Sequence, residues 1–227
     1  MSLPAASTRA RSAILSRLRA AAPVELPVPD VAAYYADAGM PSVAAMRERF
    51  IVQARGWRAE VIETDDATWP SALAAVLADK GVRRLMAGRD TVLVEGLYAA
   101  TKAVTLDWYD APIETLKPVL FDTVDAGITT TLGGIAETGS LILWPDAREP
   151  RTLSLLPPLH IAVLRETDLQ PTLYAAMRHR QWAAGLPTNA LLVTGPSKTA
   201  DIQRLLVYGA HGPRELVILL LRAEATA

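Results

Sequence analysis

The stretch TGPSKTADI, residues 194–202, carries residue types that bind anions, and it follows the apolar run of residues 190–193. A turn between a buried strand and a helix leaves backbone N–H groups free, and such groups bind phosphate or carboxylate. Lys198 would add a positive charge, and the hydroxyl groups of Ser197 and Thr199 would add hydrogen-bond donors. The stretch therefore predicts a turn that binds a small anionic ligand.

A structural interpretation of the same stretch stays open. Ser197 or Thr199 would then only cap the helix that follows, with Asp201 in its first turn. A carboxylate there complements the helix macrodipole by about 0.3–1 kcal/mol, and it would repel an anion unless Lys198 or a metal ion lay between them. The spacing differs from a Walker A loop, and the chain has no GxGxxG fingerprint. The candidate ligand-binding residues of this stretch are Gly195, Ser197, Lys198, Thr199 and Asp201.

A second stretch, GIAETGS at residues 134–140, sets one carboxylate among small residues. Glu137 is the candidate catalytic residue, because a carboxylate that a ligand can approach closely acts as a base, a nucleophile or a hydrogen-bond acceptor. Thr138, Gly139 and Ser140 are candidate ligand-binding residues beside it. The alternative interpretation is a turn with Glu137 facing solvent.

Three further side chains are candidates for the same chemistry. Arg151 is a planar donor suited to carboxylate or phosphate, and His160 lies near the start of a predicted strand. His211 is predicted in a helix-to-strand loop, at the opposite edge of the sheet from Lys198, so the two would share a site only if the loop folded back or a neighbouring subunit completed it. The histidines lack HxH and HxxxH spacing, so no metal site is predicted.

The elements that must position these residues alternate between helix and strand. Apolar spacing, with Ser42 and Asp66 as caps, predicts helices over residues 7–22, 43–56, 67–80, 171–184 and 199–207. Apolar runs predict strands over residues 59–64, 83–87, 103–108, 141–144, 160–164, 190–194 and 215–221. Apolar strands separated by helices indicate an α/β fold whose largely parallel sheet is covered on both faces.

Two segments depart from this alternation. Residues 126–140 are rich in Gly and Thr, which predicts tight strands or loops where the backbone approaches something closely. Pro23, Pro27 and Pro29 end the first helix. The predicted domains are therefore an N-terminal helix with a linker, residues 1–29, and an α/β domain, residues 30–227.

Composition limits the classes of function. The chain has 227 residues, 51% of them hydrophobic, and a formal net charge of -1, so we expect a large core and no binding of nucleic acid. It has no cysteine, which excludes disulfides and thiolate ligation of zinc or an iron–sulfur cluster. No apolar run reaches the roughly 20 residues of a membrane span, and arginines interrupt any secretory signal at the N-terminus. We expect a cytoplasmic protein.

Four motifs in one order resemble the lactate utilisation protein C family, LutC: AETGS at 136–140, SLLPPLHIAVL at 154–164, TGPSKTADI at 194–202 and GAHGPREL at 209–216. The resemblance covers about the last 100 residues strongly. It implies a three-layer α/β sandwich of the NagB/RpiA/CoA transferase-like type. It also implies a role beside two partner proteins in oxidising L-lactate to pyruvate. The iron–sulfur clusters of that system would lie in the partners, and this chain would hold no cofactor.

The resemblance leaves three classes of function open. The family usually has an acidic residue where this chain has Gln203, which would weaken any binding role of that position. Proteins that share the implied fold include CoA transferases, sugar-phosphate isomerases and 5-formyltetrahydrofolate cyclo-ligases. A stand-alone enzyme with Glu137 as the reacting carboxylate, or with Lys198 as a phosphate clamp, is therefore the alternative to a subunit of a lactate-oxidising complex. A third class is a homo-oligomeric scaffold in which the motifs serve packing alone.

Overall fold

The computed structural model describes residues 5–21, 27–36, 39–200 and 206–223. Its contacts divide the chain into two compact units, residues 1–39 and residues 40–227. The first unit contains helices α1 (Ala5–Ala20) and α2 (Val31–Ala36). None of the helices in the described ranges is both long enough and apolar enough to cross a membrane. The predicted domain boundary after residue 29 stays a prediction.

The second unit contains the other helices and all the strands of the described residues. Its helices are α3 (Val43–Gly56), α4 (Trp69–Asp79), α5 (Val94–Ala100), α6 (Ile113–Asp122), α7 (Thr152–Leu155) and α8 (Leu173–His179). Its strands are β1 (Glu60–Thr64), β2 (Arg84–Gly88), β3 (Thr105–Tyr109), β4 (Ala126–Thr130), β5 (Gly133–Ile135), β6 (Ser140–Leu143), β7 (Leu159–Arg165), β8 (Leu169–Gln170), β9 (Leu191–Val193), β10 (Lys198–Ala200), β11 (Leu206–Tyr208) and β12 (Glu215–Leu221).

The central sheet has six strands in the order β1-β12-β7-β4-β2-β3, and each neighbouring pair is parallel. Both faces of the sheet are buried. Along β12, Val217 and Leu219 pack in the cluster that contains α4 and α5, whereas Ile218 and Leu220 pack in the cluster that contains α3. Strands buried on both faces are apolar throughout, which is the pattern in the sequence. The predicted α/β class with a mostly parallel central sheet is confirmed.

Helix starts are predicted correctly in one case and incorrectly in another. Ser42 caps α3, since its hydroxyl group accepts a hydrogen bond from the N–H of Ala45 at 3.2 Å. Asp66 does not cap α4. Asp65 holds the turn before that helix by accepting the N–H of Thr68 at 2.8 Å, and Asp66 pairs instead with Arg165.

A second sheet has four strands in the order β8-β5-β6-β9. The apolar runs 141–144 and 190–194 were predicted for the parallel sheet, but they form the antiparallel pair β6 and β9. A parallel neighbour needs a crossover of about a dozen residues or more. Only residues 131–139 separate β4 from β6, and β5 lies within them. The chain therefore turns back as the antiparallel hairpin of β5 and β6 instead of crossing over to a parallel neighbour.

The predicted helix over residues 199–207 is wrong. Strands β10 and β11 pair antiparallel there, with Lys198 opposite Tyr208. The backbone around Ser197 explains the difference, because its N–H donates to the carbonyl oxygen of Pro213 and its carbonyl oxygen accepts the N–H of Gly209, each at 2.9 Å. Those bonds return the chain antiparallel to itself. Residues 201–205, with Asp201 and Gln203, lie outside the described residues.

Candidate functional site

The order of the strands creates a crevice between β2 and β4. From β2 the chain moves outward to β3, and it then returns through β4, β7 and β12 in the opposite direction. In open α/β sheets, ligands bind outside the carboxyl ends of the strands at such a switch point. A cavity of about 310 Å³ lies there, lined by residues 129–131 from the end of β4, by Thr91 after β2, and by seven residues of the segment 144–151. We call it the carboxyl-edge cavity.

A polar loop, residues 145–150, forms one wall of this cavity. The side chain of Asp146 accepts the N–H of Arg148 at 2.7 Å and the N–H of Glu149 at 3.0 Å. It also accepts two bonds from the guanidinium group of Arg148, at 3.0 and 2.7 Å. The loop rests on the end of β2, since a Cβ atom at Gly88 would lie 2.4 Å from the carbonyl oxygen of Arg148. The bonds of Asp146 hold the loop in its own conformation, and the close approach at Gly88 places it against the sheet.

Glu149 is a titratable residue of this loop whose pKa the environment raises. Its Oε1 accepts the N–H of Thr130 at 2.9 Å, and its Oε2 accepts the hydroxyl proton of the same residue. Burial raises the pKa of Glu149, against the two bonds from Thr130 and the charge of Arg148, which lower it. A carboxyl group with a raised pKa in a cleft is a candidate for binding or proton transfer. No spacing rule would have selected Glu149 from the sequence.

Arg151 brings a second guanidinium group to the cavity. Its Nη1 donates to Oδ1 of Asn189 at 3.1 Å, and a guanidinium group has five N–H donors, so donors remain for a ligand. Arg148, by contrast, is already engaged by Asp146. The sequence predicted Arg151 as a carboxylate or phosphate partner, and the structure places it in the lining of the carboxyl-edge cavity.

A smaller cavity of about 180 Å³ brings together four of the other predicted residues, His160, Gly195, Ser197 and His211. We call it the amino-edge cavity, because His160 and Leu216 lie at the starts of β7 and β12. His211 was expected at the opposite edge of the sheet from Lys198 unless its loop folded back. The structure brings His211 into one cavity with Gly195 and Ser197, whereas Lys198 does not line that cavity.

Buried polar side chains connect the two cavities. Ser154 lines both. Nε2 of His160 lies 2.9 Å from the hydroxyl oxygen of Thr129, which lines the carboxyl-edge cavity. Burial lowers the pKa of His160 to about 4, so the imidazole ring is neutral at pH 7.

The turn of residues 194–199 lacks the helix start on which its anion-binding role depended. Lys198 is exposed, and its Nζ lies 4.2 Å from the centre of the Trp57 ring. Neither Lys198 nor Thr199 lines either cavity. Gly195 and Ser197 line the amino-edge cavity but not the carboxyl-edge cavity. The predicted binding roles of the residues in this turn stay predictions.

Glu137 lies in the turn between β5 and β6, where its side chain is exposed and its N–H donates to the carbonyl oxygen of Pro171 at 3.0 Å. Thr138 is also exposed. Ser140 is buried, and its hydroxyl group bonds to those of Thr138 at 2.7 Å and Thr194 at 2.6 Å. The four residues of this hairpin line neither cavity, and the catalytic role of Glu137 stays a prediction.

Within the described ranges, no group of three or more His, Asp or Glu side chains is arranged to hold a metal ion. The polar side chains that line the carboxyl-edge cavity carry carboxyl, guanidinium and hydroxyl groups. Together these groups can donate and accept hydrogen bonds, and the carboxyl groups can also take up or release a proton.

Residues 47–221 match the family model of the LUD domain. The chain belongs to the LUD domain family. An uncharacterised protein of Neisseria meningitidis serogroup B is 33% identical over 217 residues, which cover 93% of each chain. A protein of Exiguobacterium named Lactate utilization protein C is 28% identical over 180 residues, 77% of this chain and 76% of the other. The resemblance to the LutC family predicted from the four motifs is confirmed.

A solved structure supports the fold of this LUD domain. The crystal structure of a DUF162 family protein from Deinococcus radiodurans has a TM-score of 0.60 and 24% sequence identity. The match covers 80% of this chain and 99% of the other. At that identity the likeness shows the fold alone.

Proposed function

We propose that this LUD-domain chain is a component of a lactate-utilisation system, and that it binds a small anionic ligand in the carboxyl-edge cavity. The match to a relative named Lactate utilization protein C over more than three quarters of the chain supports the first part. The observation that carries the second is the cavity itself, which lies at the switch point of the sheet and is lined by Arg151 and by the hydroxyl-bearing residue Thr91.

The size and polarity of the cavity favour a ligand of a few carbon atoms. Ligand sites usually occupy about 300–1,000 Å³, and this cavity of about 310 Å³ is at the lower end. A guanidinium group matches the planar geometry of a carboxylate. Hydroxyl groups, such as that of Thr91, suit the oxygen on the second carbon of lactate or pyruvate. Both acids are therefore suitable probes.

The electron transfer of the system is assigned to other proteins in this proposal. A chain without cysteine has no thiolate for an iron–sulfur cluster, so clusters would lie in partner proteins. This chain would hold substrate or product beside them during the oxidation of L-lactate to pyruvate.

Deletion of the gene tests the physiological role. The deletion strain should lose growth on L-lactate, keep growth on glucose, and recover with the wild-type gene. Affinity-tagged full-length chain, purified without oxygen, should bring down partner proteins with iron–sulfur absorbance. Unchanged growth on L-lactate together with purification of the chain alone would contradict the proposal.

A stand-alone enzyme is the second candidate, and the half-buried carboxyl group of Glu149 favours it. Glu149 has the raised pKa of a proton-transfer group, whereas Glu137 is exposed in a hairpin turn. Turnover by the purified chain that survives Glu137→Gln and is lost in Glu149→Gln would support this candidate. The reverse pattern would support the CoA transferase-like or cyclo-ligase-like alternative with Glu137 as the reacting group.

A further inference from the structure

The charged groups that line the carboxyl-edge cavity balance one another when Glu149 is ionised. They are two carboxylates, Asp146 and Glu149, and two guanidinium groups, Arg148 and Arg151. Arg148 is held by Asp146 through a salt bridge of 2.7 Å, and Asp90 also acts on its charge. The cavity thus has no surplus positive charge for an anion, because Glu149 offsets Arg151.

An anion in this cavity would also meet the carboxylate of Glu149 directly. Glu149 already takes both donors of Thr130, its N–H and its hydroxyl group, at the carboxyl end of β4. From its own loop it faces Asp146 and Arg148, and from β2 its Cγ packs against Gly88. A further carboxylate beside Glu149 would disfavour its ionised form and so favour uptake of a proton by Glu149.

We propose that the carboxyl-edge cavity takes up a small monocarboxylate together with one proton, and that Glu149 holds the proton. This coupling presupposes the proposed anion site. Protonation of Glu149 leaves the lining with one surplus positive charge, which matches one carboxylate. A dianion would bring a second negative charge that no described residue of the lining offsets, and a neutral molecule would bring no charge to balance the surplus positive charge.

The environment of Glu149 in the free protein favours this coupling. Burial raises the pKa of Glu149 before any ligand enters. A bound monocarboxylate raises it further, because a like charge disfavours the ionised form. Between the pKa of Glu149 in the free chain and its higher pKa in the complex, each ligand that binds therefore takes up one proton from solution, and its apparent affinity falls about tenfold for each unit of pH.

Calorimetric titration of the full-length chain tests this coupling. L-lactate and pyruvate are titrated from pH 5 to 8 in pairs of buffers that differ in ionisation enthalpy. The difference in heat between the two buffers gives the number of protons taken up. We expect close to one proton per ligand between the pKa of Glu149 in the free chain and its pKa in the complex, with malonate and lactamide binding at least about tenfold more weakly than pyruvate.

The variant Glu149→Gln should bind the same acids with an affinity that no longer depends on pH, and with no proton uptake. Glu114→Gln is the matched control, since Glu114 is an exposed residue of α6, and its proton uptake should equal that of the wild type. Binding of pyruvate by the wild type without proton uptake would overturn the coupling even if Glu149→Gln did not fold. Absence of binding at every pH would instead contradict the proposed anion site.

Discussion

At the scale of single residues, a buried titratable side chain makes the folding stability depend on pH. His160 is about 1% exposed, and its bond to Thr129 fixes the ring beneath the carboxyl-edge cavity. Desolvation disfavours the charged imidazolium form. Because the ring stays neutral in the folded chain but takes a proton in the unfolded chain, it links folding stability to pH.

The stability of the fold should therefore fall as the pH is lowered from about 6.5 to about 4, because the unfolded chain protonates His160 in that range and the folded chain does not. The loss attributable to this residue is about 3 kcal/mol, the free energy that separates the ordinary pKa of histidine from one of about 4. Urea denaturation of the wild type and of His160→Gln at several pH values measures it. Parallel pH profiles for the two proteins would contradict the buried, neutral state of His160.

The sequence predicted some site residues because their types are distinctive. Arg151, His160 and Ser197 have side chains that commonly bind ligands, and they line one or other cavity. Glu149 was missed because its pKa is raised by burial and its carboxyl group is held by two bonds from Thr130 on β4. Those contacts are long-range, so no local pattern contains them.

At the scale of elements, the hairpin of β5 and β6 is fixed by a close approach to α3. Gly139 has a φ of +68°, and a Cβ atom there would lie 2.3 Å from the backbone nitrogen of Ala54. The conformation and the space both require glycine. The AETGS motif therefore has a structural role, whatever chemistry Glu137 performs.

Substitution of Gly139 by alanine should destabilise the chain by more than about 1 kcal/mol, since the backbone strain and the contact with α3 add. Gly185→Ala is the matched control, because its φ of 172° is extended and a Cβ atom there meets nothing within 4 Å. Thermal denaturation of the two variants compares them. Equal melting temperatures would show that α3 does not pack on this turn.

Strands could be predicted from the sequence where a continuous apolar run is buried on both faces of the sheet. Strands β2, β7 and β12 are buried on both faces, and their apolar runs indicate them. The segment after residue 194 was misassigned because TGPSKT resembles a helix start. The bonds that make it a hairpin come from Pro213 and Gly209, which are distant in sequence.

At the scale of the whole molecule, the order of the strands places the candidate site. The fold class followed from the alternation of apolar strands and helices, but the division of the strands between two sheets did not, because strand pairing is a long-range choice. The switch point between β2 and β4 became visible only with that order. Fold and family do not by themselves define the ligand, so the site must be tested directly.

The most direct test measures the affinity of pyruvate for three proteins by calorimetry: the wild type, Arg151→Ala and Lys198→Ala, each with its melting temperature as a check on folding. If the carboxyl-edge cavity holds the ligand, Arg151→Ala should weaken binding by about tenfold to a hundredfold, since a bond to a charged group contributes about 1.5–3 kcal/mol. Lys198→Ala should change the affinity by less than about twofold, because Lys198 lies over Trp57 and outside the cavity. Loss of binding in Lys198→Ala with full binding in Arg151→Ala would contradict the account and return the site to the turn of residues 194–199.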